Sequence, residues 1–198
     1  MKITYSEEEL IHLLYAWAAI SFAFAVVLSG NGVGSQFASN LILAGITVGT
    51  AFLFHEFSHK VLAQKYGHWA EFRKFDLGLI LAVVMSFFGF IIAAPGAVMI
   101  SGQVTREHDG KISAIGPLTN IVMAFLFLIA GIIFPLFFET IPLLFNKIIS
   151  FGFLINSWLA LFNMIPFPPL DGFKVLTWSF PAWIGITALA AFMVFFLR

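Results

Sequence analysis

The sequence predicts an all-α membrane protein: a polytopic helical bundle of about five spans with a re-entrant helix/β-segment. Three observations carry that prediction. The 198 residues are 61% hydrophobic and only 10% charged, whereas a soluble domain is about 45–50% apolar and about 25% charged. The apolar residues gather into runs of about 20, long enough to cross a hydrocarbon core. Between the second and third long runs lies an apolar stretch broken by Pro95-Gly96, with partial two-residue alternation after the break. The whole chain, 1–198, therefore reads as one membrane-embedded domain whose apolar surface meets a lipid bilayer. Formal net charge is zero, which gives no case for nucleic acid as a partner. There is no cysteine, so any metal site must use histidine and carboxylate.

The elements follow in order. The acidic start is unlike a secretory signal, so the first apolar run reads as a retained span. Ser6 before Glu7, Glu8 and Glu9 can cap a helix, with Glu9 completing a capping box. Leu10 to Ser29 is the first span, and His12 near its start reads as interfacial. Gly30 to Ser35 is a turn-rich loop. Asn40 can cap a second span that ends near Tyr66, with Gly67 as the left-handed stop. His68 to Phe75 reads as a charged loop. Leu77 to Ala94 is almost wholly apolar, and Val98 to Val104 reads as a strand. Arg106 to Lys111 is a polar loop, with His68 and His108 solvated. The third span runs from about Ile112 to Phe137 and carries Gly116-Pro117-Leu118-Thr119-Asn120. The fourth covers about Leu143 to Ile165. Pro166, Pro168 and Pro169 cannot continue a helix, so an extended segment is expected to deliver Asp171. A last span, about Val175 to Leu197, is expected to kink at Pro181.

The chemistry is concentrated in His55-Glu56-Phe57-Ser58-His59. Histidines four apart fall on one helix face, so both imidazoles can reach one zinc ion, with Glu56 beside it as a candidate general base. Ionisable side chains within a span cost at least about 2.5–3.5 kcal/mol each and mark function by default. A catalytic zinc typically has three protein ligands and an open position. Of the remaining acids, only Asp171 follows directly from a span within a proline-stiffened segment. His55, His59 and Asp171 are thus the candidate ligands.

That pairing constrains topology. Two spans, 112–137 and 143–165, separate the histidines from Asp171. For both to meet one metal, Leu77 to Val104 must enter the membrane and come back. The same count places Lys2, Lys60, Lys65, Arg73, Lys74, Arg106, Lys111 and Lys174 on one side, and Lys147 and Arg198 on the other. The positive-inside rule then puts the site nearer the cytoplasmic side of a multi-pass protein of the cell membrane.

With these motifs in place, the chain resembles the site-2 protease family of intramembrane zinc metalloproteases. The resemblance rests on His55-Glu56-Phe57-Ser58-His59 in a span, on Gly116-Pro117-Leu118-Thr119-Asn120, and on Asn163-Met164-Ile165-Pro166-Phe167-Pro168-Pro169-Leu170-Asp171-Gly172. It covers a core of about residues 40–175. It implies a re-entrant β-segment between the first two core helices, zinc as cofactor and a transmembrane protein as substrate. The family's third zinc ligand falls on Asp171, and its asparagine ahead of the aspartate falls on Asn163. Glu56 is then the general base, with Asn163 and Asn120 as candidate donors to the developing oxyanion. Val98, Ile100 and Gly102 are expected to hold an unwound substrate by strand addition. No soluble regulatory domain of the kind some members carry is expected. Two other readings are a non-proteolytic membrane scaffold or chaperone with a zinc site, and a zinc transporter. The retained glutamate weighs against the first, and the scarcity of polar residues along the spans against the second.

Overall fold

A computed structural model describes residues 3–91 and 94–197. Lys2 and Arg198, counted in the charge bias, lie outside the described residues, as do Ile92 and Ala93 of the apolar stretch. The described chain is an all-α membrane protein with one small sheet. Among the described residues, four helices are long and apolar enough to cross a membrane.

Helix α1, Glu7–Leu28, begins where Ser6 Oγ accepts the Glu9 N–H at 3.1 Å. Only half of the expected capping box forms, because the Glu9 side chain leaves its own helix. Its carboxylate accepts from Lys60 and from the Phe72 N–H at 2.8 Å. Glu9 and Lys60 are both buried, and together they join the start of α1 to two other elements. Helix α2, Phe37–Ala44, runs through a π-helical turn, Gly45–Gly49, into α3, Thr50–Lys65. Asn40 is not the cap expected of it. It lies inside α2 and its amide donates to Ser29 Oγ at 2.9 Å. Trp17 of α1 donates from Nε1 to the Gly45 carbonyl at 3.1 Å. Gly67 closes α3 at φ +82°, a left-handed value that favours glycine.

The next segment settles the topology. Strand β1, Trp69–Lys74, pairs antiparallel with β2, Gly96–Ser101, in a register from Trp69↔Ser101 to Lys74↔Gly96. Helix α4, Asp76–Ser86, fills the excursion between them. The chain therefore leaves and returns at the same place, and the Phe75 N–H closes the base on the Pro95 carbonyl at 3.1 Å. Eleven helical residues rise only about 16 Å, well short of a hydrocarbon core of about 30 Å. The excursion does not cross. Strand β1 reads as a loop in the sequence because of its charges, yet its buried residues, Ala70 and Phe72, do alternate with Glu71 and Arg73. Strand β2 stops at Ser101, so Gly102, expected as a strand residue, lies just beyond it.

Helix α5, Arg106–Phe137, starts six residues before the expected span, because Thr105 Oγ1 accepts the His108 N–H at 3.2 Å. Arg106 to Lys111 is thus its first turns rather than a loop. His108 is not simply solvated either: its Nδ1 lies 3.0 Å from His68 Nε2, and its ring stacks on Tyr66. Helix α6 is Leu143–Asn163. The expected fifth span is instead two helices, α7 Asp171–Trp178 and α8 Phe180–Phe196. Ser179 is extended and caps α8 from its hydroxyl, with Pro181 in the first turn, where proline's missing N–H costs nothing. Helix α8 is a shorter apolar helix of 17 residues, at the lower end of the length that crosses a hydrocarbon core. The larger core joins α5, α6, α7 and α8 around residues such as Ile121, Phe153, Met164 and Val175. A smaller one joins α1, β1 and α4 around Ala16, Phe72 and Leu79. Helix α3 lies between them.

Candidate metal centre

Helix α3 stacks His55 and His59 one turn apart, with ring centroids 4.7 Å apart and planes nearly perpendicular. Both rings are buried, 5% and 7% exposed. The third group arrives from 112 residues beyond His59 in the sequence. Helix α6 ends at Asn163, and the chain from Met164 to Leu170 turns tightly rather than extending. The Phe167 N–H reaches the Ile165 carbonyl at 2.8 Å, and the Leu170 N–H reaches Phe167 at 2.9 Å. Asp171 then opens α7, where the positive end of the helix dipole favours a carboxylate. Its Oδ2 lies 3.1 Å from His55 Nε2 and 3.2 Å from His59 Nε2.

These three groups offer ligand atoms all within 4.8 Å of one another. Ligands at zinc distances of about 2.0–2.2 Å in a tetrahedral arrangement stand about 3.3 Å apart. The two spacings to Asp171 are close to that, and two imidazoles with a carboxylate are a donor set that suits zinc. Three protein groups also leave the fourth position of a catalytic site open. The residues present therefore fit a zinc ion.

The far sides of both rings are tied down. His59 Nδ1 donates to the Ile112 carbonyl at 2.6 Å, and His55 Nδ1 donates to Asn120 Oδ1 at 2.6 Å. With Nδ1 protonated in each ring, both Nε2 lone pairs are free on the side of Asp171. Gly116 of α5 makes room for the rings. A Cβ there would stand 2.5 Å from His59 Nε2 and 2.6 Å from His55 Nε2.

Glu56 is half-buried, and its Oε2 accepts the Val98 N–H at 3.2 Å. Val98 faces Phe72 across the sheet. The Phe72 N–H also points outward, to Glu9 on the opposite edge. Facing residues whose N–H groups both point away form a non-hydrogen-bonded pair. By alternation, Gly96, Val98 and Ile100 turn their backbone groups to the edge away from β1, the edge that meets Glu56. The Val98 and Ile100 side chains pack inward, among Ala63, Ala70 and Ile112.

Of the two asparagines, Asn120 departs from expectation. Asn120 is fully buried, and both of its amide hydrogens are committed, to the Ala51 carbonyl and to Asn156 Oδ1, each at 3.1 Å. It has no donor left for an oxyanion, so it orients His55 instead. Asn163 donates to the Leu159 carbonyl one turn back at 2.9 Å, with its second amide hydrogen uncommitted among the described bonds. Asn156 is the residue that sequence reasoning missed. The signal was present, because a carboxamide in mid-span at lipid depth is costly and marks a partner nearby.

Three curated relatives match the chain. A protein of Methanocaldococcus jannaschii named "Putative zinc metalloprotease MJ0611" is 43% identical over 177 residues, 88% of this chain and 86% of the relative. A second protein of that organism, "Zinc metalloprotease MJ0392", is 27% identical over 124 residues, covering 63% of this chain and 30% of the relative. "Putative zinc metalloprotease YwhC" of Bacillus subtilis is 26% identical over 149 residues, 66% of each. No protein-family model matches the chain, and no solved structure does.

Proposed function

The chain belongs to a family of zinc metalloproteases, and on that premise we propose that it hydrolyses peptide bonds within transmembrane segments of membrane-protein substrates, as a site-2 protease-like enzyme. One observation carries the reading. Glu56, flanked by His55 and His59, touches the Val98 N–H on the unpaired edge of β2. A candidate base, a metal-ligand set and the β2 edge away from β1 thus converge at one point.

His55, His59 and Asp171 would hold the zinc ion, and it would supply Lewis acidity that lowers the pKa of water to about 7 and polarises a carbonyl. Glu56 takes a proton from the attacking water on a carboxylate oxygen and returns it to the leaving amine nitrogen. The uncommitted amide hydrogen of Asn163 is the donor we assign to the developing oxyanion. A helical substrate has its peptide groups bonded internally, so it must unwind before attack. The outward backbone groups of Gly96 and Ile100, and those of Val98 once its N–H leaves Glu56, would take up the unwound segment as an added strand. Gly102 would extend that edge past the end of β2. We place the site nearer the cytoplasmic side of the cell membrane. Lys65, Arg73, Lys74, Arg106 and Lys111 cluster at one end of the bundle, and Lys174 joins them through Asp109 of α5 at 3.1 Å. Lys60 leaves that count, because it is buried on Glu9.

The test uses the full chain in lipid nanodiscs with a fluorescently labelled transmembrane peptide. Cleavage that stops with a chelator, returns with zinc and is absent in Glu56→Gln is the expected result. Zinc bound at full stoichiometry, with no cleavage of any of a panel of transmembrane peptides, would overturn it in favour of a structural zinc site.

A further inference from the structure

Four groups form a chain of hydrogen bonds from α6 to the metal-ligand set, and only one end of it has been given a role above. The Asn156 amide donates to the Gly152 carbonyl at 2.9 Å. Asn156 Oδ1 accepts from the Asn120 amide at 3.1 Å. Asn120 Oδ1 accepts from His55 Nδ1 at 2.6 Å. Asn120 and Asn156 are both 0% exposed, so their hydrogen bonds are met within the bundle.

The polarity of this chain is forced from its ends. A backbone carbonyl can only accept, so Gly152 makes Asn156 present its NH2 and turn its oxygen towards Asn120. Asn120 must answer with its own NH2. The Ala51 carbonyl, also only an acceptor, holds the other Asn120 hydrogen at 3.1 Å. The Asn120 oxygen is then the atom left for His55, and an oxygen there selects the Nδ1–H form of the ring.

We infer that Asn156 is a positioning residue for the metal centre: acting through Asn120, it holds His55 in the Nδ1–H tautomer and so keeps Nε2 free as a ligand. A carboxamide that rotates by half a turn would offer NH2 to His55 instead. The ring would then carry its proton on Nε2, where it blocks coordination. Asn156 supplies one of the two acceptors that prevent this rotation. The inference rests on the reading of His55 as a zinc ligand, but not on proteolysis.

The experiment measures zinc affinity by chelator competition, and the His55 tautomer by 15N imidazole shifts in the metal-free full chain in nanodiscs. Asn156→Leu removes the acceptor at similar volume. It is expected to weaken zinc binding about tenfold, the low end for partners of metal-bound histidines, and to bring up the Nε2–H signature of His55. Asn156→Asp, as its neutral acid, can donate to Gly152 and accept from Asn120, and is expected to restore both readouts. If the leucine variant does not fold, Asn156→Ser serves. Its hydroxyl can reach Gly152 as Ser157 reaches Phe153 at 2.8 Å, but it is too short to meet Asn120, so it should behave as leucine does. In an Asn120→Ala background, Asn156→Leu should change nothing further. A folded Asn156→Leu or Asn156→Ser with wild-type zinc affinity and an unchanged His55 spectrum overturns the inference. So does an effect that persists in full without Asn120. Failure of the proteolysis reading would look different: wild-type protein that binds zinc with the Nδ1–H signature but cleaves nothing.

Discussion

The Val98 amide donates to Glu56 Oε2 over 3.2 Å, across 42 positions of sequence. This bond makes the β2 edge and the candidate base parts of one site. It also separates two jobs of Val98, because its side chain packs in the core while its N–H faces the carboxylate.

Val98→Pro should therefore remove cleavage while sparing the fold. The lost N–H is not part of the β1–β2 ladder, so the sheet keeps its bonds. We expect the rate of peptide cleavage to fall by roughly tenfold, the value of one hydrogen bond to a charged group at about 1.5 kcal/mol, with zinc content unchanged. Val98→Ala should show the reverse, a lower melting temperature with cleavage largely kept. Equal cleavage by Val98→Pro and wild type would remove the strand edge from substrate binding.

Glu56→Gln keeps the size and the acceptor oxygen but not the basicity. Cleavage should drop by about 10²–10⁴, the usual range for a positioned proton-transfer group. Zinc stoichiometry, read by metal analysis of the purified protein, should stay at the wild-type value. Asp171→Ala should do the opposite and lose the metal. A Glu56→Gln enzyme that turns over at the wild-type rate would assign the base elsewhere.

Gly116→Ala should disturb the metal centre without adding charge or removing a bond. The new methyl would stand 2.5 Å from the His59 ring, so the rings or α5 must shift. Overpacking of this kind costs about 1–3 kcal/mol, and zinc affinity should weaken alongside the lower Tm. Unchanged affinity in chelator competition would mean that the rings have room the structure does not show.

The Glu9–Lys60 pair offers a test of stability alone. Lys60 is 2% exposed and Glu9 is 0%. Removing one partner leaves an uncompensated buried charge, so Lys60→Met should cost about 3–5 kcal/mol, read as a fall in Tm in detergent. Adding Glu9→Leu should recover part of that loss. The recovery stays partial, because the Phe72 N–H also depends on Glu9.

Much of this site was legible before any coordinates. The four-residue spacing of His55 and His59 fixes one helix face. The need for a third ligand, in a chain without cysteine, narrows the choice to a single aspartate. Parity then forbids the 77–104 segment from crossing. What stayed hidden was lateral. Strand β1 reads as a charged loop because only two of its six residues are buried apolar ones. The last span reads as one helix kinked at Pro181, because Ser179 carries no strong stop signal. Asn120 reads as a donor because a sequence cannot show that both of its hydrogens are taken.

The sequence by itself determined which residues are able to carry the chemistry. Residue type and helical period are local properties, and they survive without a fold. Only the tertiary structure decided what those residues face. Helix α5 lies against α3, so Gly116 meets the rings, the Ile112 carbonyl takes one imidazole and Asn120 the other. Each of those contacts depends on the rotation of one helix about its axis relative to its neighbour. That angle is set by packing over many side chains at once, and no short stretch of sequence contains it.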